Sequence, residues 1–243
     1  MKNLTQNEIN YIAQQAKNQL ARNYYKDYIT QVHHGSYEHF RHTLLICDYL
    51  QRIAEGEQLH LMIELPPRHS KSMSVTETFP SYYLGRNPEK RVITSAYSEG
   101  LARKFGRLNR NKFAEMSDNI FGVSLATDNT SNTDWGIKGH RGGMISTGIG
   151  GSITGQGADC MIIDDPIKNA KEALSKTIRD NIWNEWESTL STRLHDGASV
   201  IVIMTRWHED DLIGRLLENS PYNWIRLRLP CLLYTSPSPR DRQ

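Results

Sequence analysis

The stretch Leu59-His60-Leu61-Met62-Ile63-Glu64-Leu65-Pro66-Pro67-Arg68-His69-Ser70-Lys71-Ser72 constrains the fold more than any other. An apolar run stops at two prolines, a short turn follows, and a helix-compatible segment opens behind Lys71-Ser72. That order reads as strand, anion loop, helix. A buried strand delivers the loop to a sheet edge, where backbone N–H groups and a helix N-terminus offer a cradle for phosphate. In such a loop Lys71 reaches the outer phosphates and the Ser72 hydroxyl holds magnesium. The usual pattern has glycine where this chain has Ser70 and Leu65. Taken alone, the stretch is equally well read as a strand and a turn with an exposed Lys-Ser.

Two further apolar runs shift that balance. Cys160-Met161-Ile162-Ile163-Asp164-Asp165-Pro166 is apolar on both faces, as a central strand of a covered parallel sheet must be, and it ends in two carboxylates. Acids at a strand's C-terminal end lie where open α/β sheets bind ligands. Asp164 there helps hold magnesium, and Asp165 orients the attacking water. Ser199-Val200-Ile201-Val202-Ile203-Met204 is a third buried strand, and it runs into Thr205-Arg206-Trp207-His208-Glu209-Asp210-Asp211-Leu212. Arg91–Tyr97 adds a strand with Ser98 as a helix N-cap, and strand–helix alternation predicts a mostly parallel sheet covered by helices on both faces.

Pro66–Ser72, Ile162–Pro166, the Thr205–Leu212 run and Gly150–Asp159 together resemble the large subunit of tailed-bacteriophage terminase, over roughly residues 30 to 230. The resemblance implies an α/β P-loop NTPase of the additional-strand type. It implies a motor that hydrolyses ATP with Mg2+ and drives double-stranded DNA into a capsid. Its expected partners are the portal and a small DNA-recognising subunit, with a homo-oligomeric ring when assembled, in the host cell cytoplasm. The ATP site is then Pro67, Arg68, His69, Ser70, Lys71 and Ser72, with Tyr37 and Phe40 as ring-stacking candidates for adenine. Magnesium falls to Ser72 and Asp164. Catalysis falls to Lys71, Asp165, Arg68 and Thr205, and coupling of phosphate state to movement falls to Thr205 and Arg206. Arg206 reads equally as a structural ion-pair former. Arg141, Arg103 and Arg107 are the arginine-finger candidates. Where the family usually has Glu after the magnesium acid, this chain has the shorter Asp165.

The resemblance also divides the chain. Residues 1–58 form an N-terminal helical region leading to the adenine pocket, 59–231 the ATPase core, and 232–243 an unrelated-looking tail expected to be disordered. The nuclease domain of the family is not expected in this chain, nor is DNA cutting. Two rival readings are a helicase-like nucleic-acid translocase and a non-catalytic scaffold that keeps the fold.

Composition fits an ordinary globular protein: 38% hydrophobic, 23% charged and a net charge of +2. Charge balance alone therefore does not announce nucleic acid. The basic run Arg103, Lys104, Arg107, Arg110 and Lys112 reads equally as a DNA contact or a solvated helix face. Three scattered cysteines imply no disulfide framework, and no apolar run is long enough to span a membrane. His33, His34, His39 and His42 lack a zinc-ligand spacing. Thr5 and Glu8 have capping-box spacing, and Ile9, Ile12, Ala13, Ala16 and Leu20 mark the apolar face of the helix they start. Single helices are expected over Lys71–Leu84 and Lys171–Leu194, and a last strand over 223–230. Residues 118–157 read either as a mobile loop or as a β-hairpin connection.

Overall fold

The computed structural model describes residues 4–229 except Ser152 and Thr154, with the backbone only of Thr130. The tail at 232–243 lies outside these. The strands are β1 (His60–Glu64), β2 (Arg91–Ala96), β3 (Leu125–Thr130), β4 (Asp134–Ile137), β5 (Gly143–Gly148), β6 (Ala158–Asp164), β7 (Leu194–Met204) and β8 (Trp224–Arg228). They form one eight-stranded sheet in the order β3-β4-β5-β2-β6-β7-β1-β8. From β5 to β8 every pairing is parallel; β3 and β4 are antiparallel additions at one edge. Within residues 118–157, the stretch from Leu125 to Gly148 thus forms antiparallel hairpins rather than one long loop. β7 stands between the loop strand β1 and the acid strand β6, the additional-strand arrangement of P-loop folds.

Alternation along the strands divides the core in two. Leu61 and Ile63 of β1, Ile162 of β6 and Ile201 and Ile203 of β7 face one side, and Met62, Ile163, Val200 and Val202 face the other. The first side is covered by α1 (Gln6–Asn23), α2 (Tyr25–Val32), α3 (Arg41–Ala54), α4 (Lys71–Ser74), α5 (Phe79–Arg86) and α6 (Glu99–Phe121). The second is covered by α7 (Ala170–Leu174), α8 (Lys176–Glu185) and α9 (Leu212–Asn219). Tyr25 and Tyr28 of α2 pack against Tyr82 of α5, with ring centroids 5.1 and 5.2 Å apart, so the N-terminal helices share the core of the sheet.

Three expectations are corrected. The helix expected over Lys71–Leu84 breaks after Ser74 and restarts at Phe79, because Pro80 in the first turn has no N–H to bond backward. The helix expected over Lys171–Leu194 breaks at Ser175, whose hydroxyl accepts from the Ile178 N–H and caps a new helix; after Glu185 it loosens into a π turn at Trp186–Leu190. The third concerns α1. Its capping box forms, but Ile9, Ile12 and Leu20 are exposed, and its docked side is Asn18 and Ala21. The contact beside Ala21 is polar: Gln14 and Gln31 both donate to the side-chain Oδ1 of Asn18, at 2.9 and 2.7 Å.

Candidate active site

Parallel pairing brings the C-terminal ends of β1, β7 and β6 side by side. The segments that leave them are the phosphate-loop candidate, the Thr205 turn and the paired acids. They line an open cavity of about 380 Å3, with Pro67, Arg68, Ser70, Lys71, Ser72 and Met73 on one wall. Asp165, Ile167, Lys168, Thr205 and Trp207 form the other.

Lys71 is buried and its ammonium lies between the two walls. It donates to Asp165 Oδ1 at 2.8 Å and to Thr205 Oγ1 at 2.7 Å. The Thr205 N–H donates to the same Asp165 oxygen at 2.8 Å. Three strands therefore meet through one triad of side chains. Beside it, Ser72 Oγ donates to Asp164 Oδ1 at 3.2 Å and Thr76 Oγ1 to Oδ2 at 2.5 Å. Asp164 is buried; loss of hydration, and then the charge of Asp165, push its carboxyl up to about 6. A buried carboxylate held by two hydroxyls, with no direct ion pair, suits a hard cation that takes oxygen ligands. Ser72 and Asp164 are the residues that would hold magnesium.

The backbone of the site is strained. Four non-glycine residues among those described have positive φ, and three of them line this cavity: Arg68 at 65°, Ser70 at 58° and Asp165 at 43°. Ser70 keeps the left-handed turn that glycine would take more cheaply. Such strain persists only where surroundings over-determine the backbone. The Ser70 carbonyl accepts from both the N–H and the hydroxyl of Ser74, each at 2.8 Å, and the Tyr37 hydroxyl lies 2.6 Å from Ser74 Oγ.

A family model described as terminase large subunit, T4-like-virus type, N-terminal, matches residues 62–235. The chain belongs to that family. No curated protein matches it. Among solved structures, the large terminase of bacteriophage HK97 is 10% identical with a TM-score of 0.49, covering 79% of this chain and 39% of its own. The large terminase of a thermophilic bacteriophage, solved in complex with ADP, is 13% identical with a TM-score of 0.49, covering 83% of this chain and 48% of its own. A structure of S. cerevisiae Dbp5 bound to Gle1 is 11% identical with a TM-score of 0.45, covering 75% and 45%. The chain thus spans less than half the length of these proteins, and the family assignment rests on the model match.

The family's expected positions distribute unevenly in space. Pro67, Arg68, Ser70, Lys71, Ser72, Asp165 and Thr205 line the cavity, and Asp164 lies beneath it. His69 turns back on its own loop, its Nδ1 2.9 Å from the Pro67 carbonyl. Tyr37, a candidate either for stacking on adenine or for ordinary packing, is buried under the loop with its hydroxyl on Ser74. Phe40 is 51% exposed and stacks on His42, outside the cavity lining. Arg206 is an ion-pair former: its Nε donates to Asp211 Oδ2 at 2.5 Å, and its Nη1 lies 3.6 Å from Glu64. Arg103 and Arg107 project from the first half of α6 and are exposed. Arg141 precedes β5, one strand length of about 20 Å from the rim, and pairs with Glu89 at 3.5 Å. The four histidines of the 33–42 segment take separate partners, and no cluster of metal-ligating side chains occurs among the described residues.

Thr76, Lys168 and Trp207 join the site without a signal in the sequence. Thr76 follows the break after α4, where periodicity gives no reason to aim it at Asp164. Trp207 stands in the Thr205–Leu212 run itself, but only the fold shows that it is 45% exposed beside the cavity.

Proposed function

We propose that this chain hydrolyses ATP and forms the motor part of a packaging machine that drives viral double-stranded DNA into a capsid. The observation that supports it best is the meeting of Lys71, Asp165 and Thr205 over a groove of phosphate size. In this reading the phosphates enter between Arg68 and Thr205, and Lys71 leaves Asp165 to neutralise their outer oxygens. Asp165, released from the ammonium, orients water for in-line attack. In this reading its shorter side chain is offset by its place on the cavity wall. Thr205, in contact with Lys71, reports whether a γ-phosphate is present. Ser72 and Asp164 would hold magnesium, which when bound would supply neutralisation of the phosphate charge. Chemistry of this kind is positioning and charge stabilisation, so these few side chains suffice.

Portal, small subunit and ring assembly follow from the same proposal, as partners of the assembled motor. Phosphate release from purified protein, with Lys71→Ala alongside, tests the core of it. Turnover abolished in the variant supports the reading. Equal background rates in both leave only a scaffold that has kept the fold.

A further inference from the structure

Behind the Thr205 turn lies a second, smaller opening of about 300 Å3 lined by Glu64, Arg206, His208, Arg226 and Arg228. Trp207 forms the wall it shares with the nucleotide cavity. Glu64 is the last residue of β1, one position before the loop segment begins, and is only 7% exposed. Its carboxylate takes both arms of a guanidinium: Arg226 Nε on Oε1, and Nη2 on Oε2 at 3.1 Å. Arg206 Nη1 lies 3.6 Å from the same Oε1. Arg206 is fastened in turn to Asp211 Oδ2 and to the Glu209 carbonyl at 3.0 Å, while Asp211 Oδ1 caps α9 through the Gly214 N–H. One buried carboxylate thus ties together the loop strand, the Thr205–Asp211 turn and the outermost strand β8.

Net stability is a weak reason for this arrangement. A buried ion pair often contributes no more than well-packed apolar groups of similar volume would, so its value lies in fixing geometry. The bidentate fork fixes angle as well as distance. We propose that Glu64 is a positioning residue for the ATPase reaction. Through Arg206 it sets the Thr205 turn against Lys71, and through Arg226 it makes β8 follow that turn when nucleotide binds. The inference rests on the ATPase reading above and adds to it the route by which phosphate contacts reach the sheet edge.

Glu64→Gln, in the full chain, keeps shape and removes the charge. The expected result is a kcat at least tenfold lower, with KM and calorimetric ADP affinity within threefold of wild type. Arg226→Gln removes the other half of the pair from the exposed side; it leaves the Glu64 carboxylate with Arg206 alone, so its fold is checked by circular dichroism, and the folded variant should repeat that split. Folded variants with wild-type kcat, or a parallel loss of kcat and ADP affinity, would overturn the proposal. Hydrogen exchange provides an arm that needs no turnover. Adding Mg2+ and ADP to wild type should change exchange at both 67–72 and 224–228, and Glu64→Gln should lose the second change only. A wild type that responds at 67–72 alone refutes the link. Absence of phosphate release from wild type would instead sink the ATPase reading, and the exchange result would still decide the role of Glu64.

Discussion

Ser70→Gly should stabilise the protein, although glycine is ordinarily a poor choice for stability. The Ser70 backbone sits at φ 58° and ψ 14°, in the left-handed region. An L-residue with a Cβ is strained there by about 1–2 kcal/mol. Glycine escapes that strain but has more freedom to lose on folding, about 0.5–1 kcal/mol. The hydroxyl itself caps nothing, so its removal sacrifices no cap. The difference is a net gain of about 0.5–1 kcal/mol, or a Tm higher by about 1–4 °C for a chain of this length. Scanning calorimetry without nucleotide measures it, with Ser70→Ala as the reference because alanine loses the hydroxyl and keeps the Cβ. A Ser70→Gly Tm at or below that of Ser70→Ala would refute the claim that strain is stored at this turn.

Asp165→Asn should lower phosphate release on the order of 100-fold while ADP binding by calorimetry persists, since in the proposed mechanism the acid orients water and does not hold the base. The Asp164 carboxyl is raised in the folded state from 3.8 to about 6, so it favours folding below its unfolded value and loses that contribution as pH rises through about 6. The proposed magnesium site needs the carboxylate, so Mg2+ affinity should weaken about tenfold per pH unit below 6, and a flat calorimetric profile from pH 5 to 8 would contradict this. Gly106→Ala should cost about 1–3 kcal/mol in a urea melt, because the new Cβ would lie 2.0 Å from the Asn132 carbonyl oxygen. Gly100→Ala, on the same helix with nothing within 4 Å, is its control and should not destabilise.

What was legible in the sequence was what burial writes directly. β1, β6 and β7 are apolar on both faces, and only a covered parallel sheet accommodates such strands. Because each ends in polar residues, the convergence of Lys71, Asp164, Asp165 and Thr205 followed once parallel order was assumed. The helix breaks were less visible. Ser175 is a good cap only if the chain turns there, and its flanking residues keep a helical period. The face of α1 was misread for a related reason: periodicity finds a stripe of like residues but does not say which stripe docks. Here the docked contact is an amide cluster around Asn18, which no hydrophobic count detects. Glu64 was hidden as well. A charged residue at a strand end reads as the start of solvent unless its arginine partners, Arg226 being 162 positions further along the chain, are known to return to it.

The missing glycines make the same point about motifs. A phosphate loop needs a backbone shape; glycine is the least costly way to reach it. In this chain Arg68 and Ser70 take left-handed conformations without glycine, so the shape must be imposed from outside the loop. The structure supplies that constraint in order: Tyr37 fixes the Ser74 hydroxyl, the Ser74 hydroxyl and N–H hold the Ser70 carbonyl, and Ser70 hands the chain to Lys71. Tyr37 therefore sits beneath the loop, where packing rather than stacking is its part, and it is there that the strain of the loop is balanced.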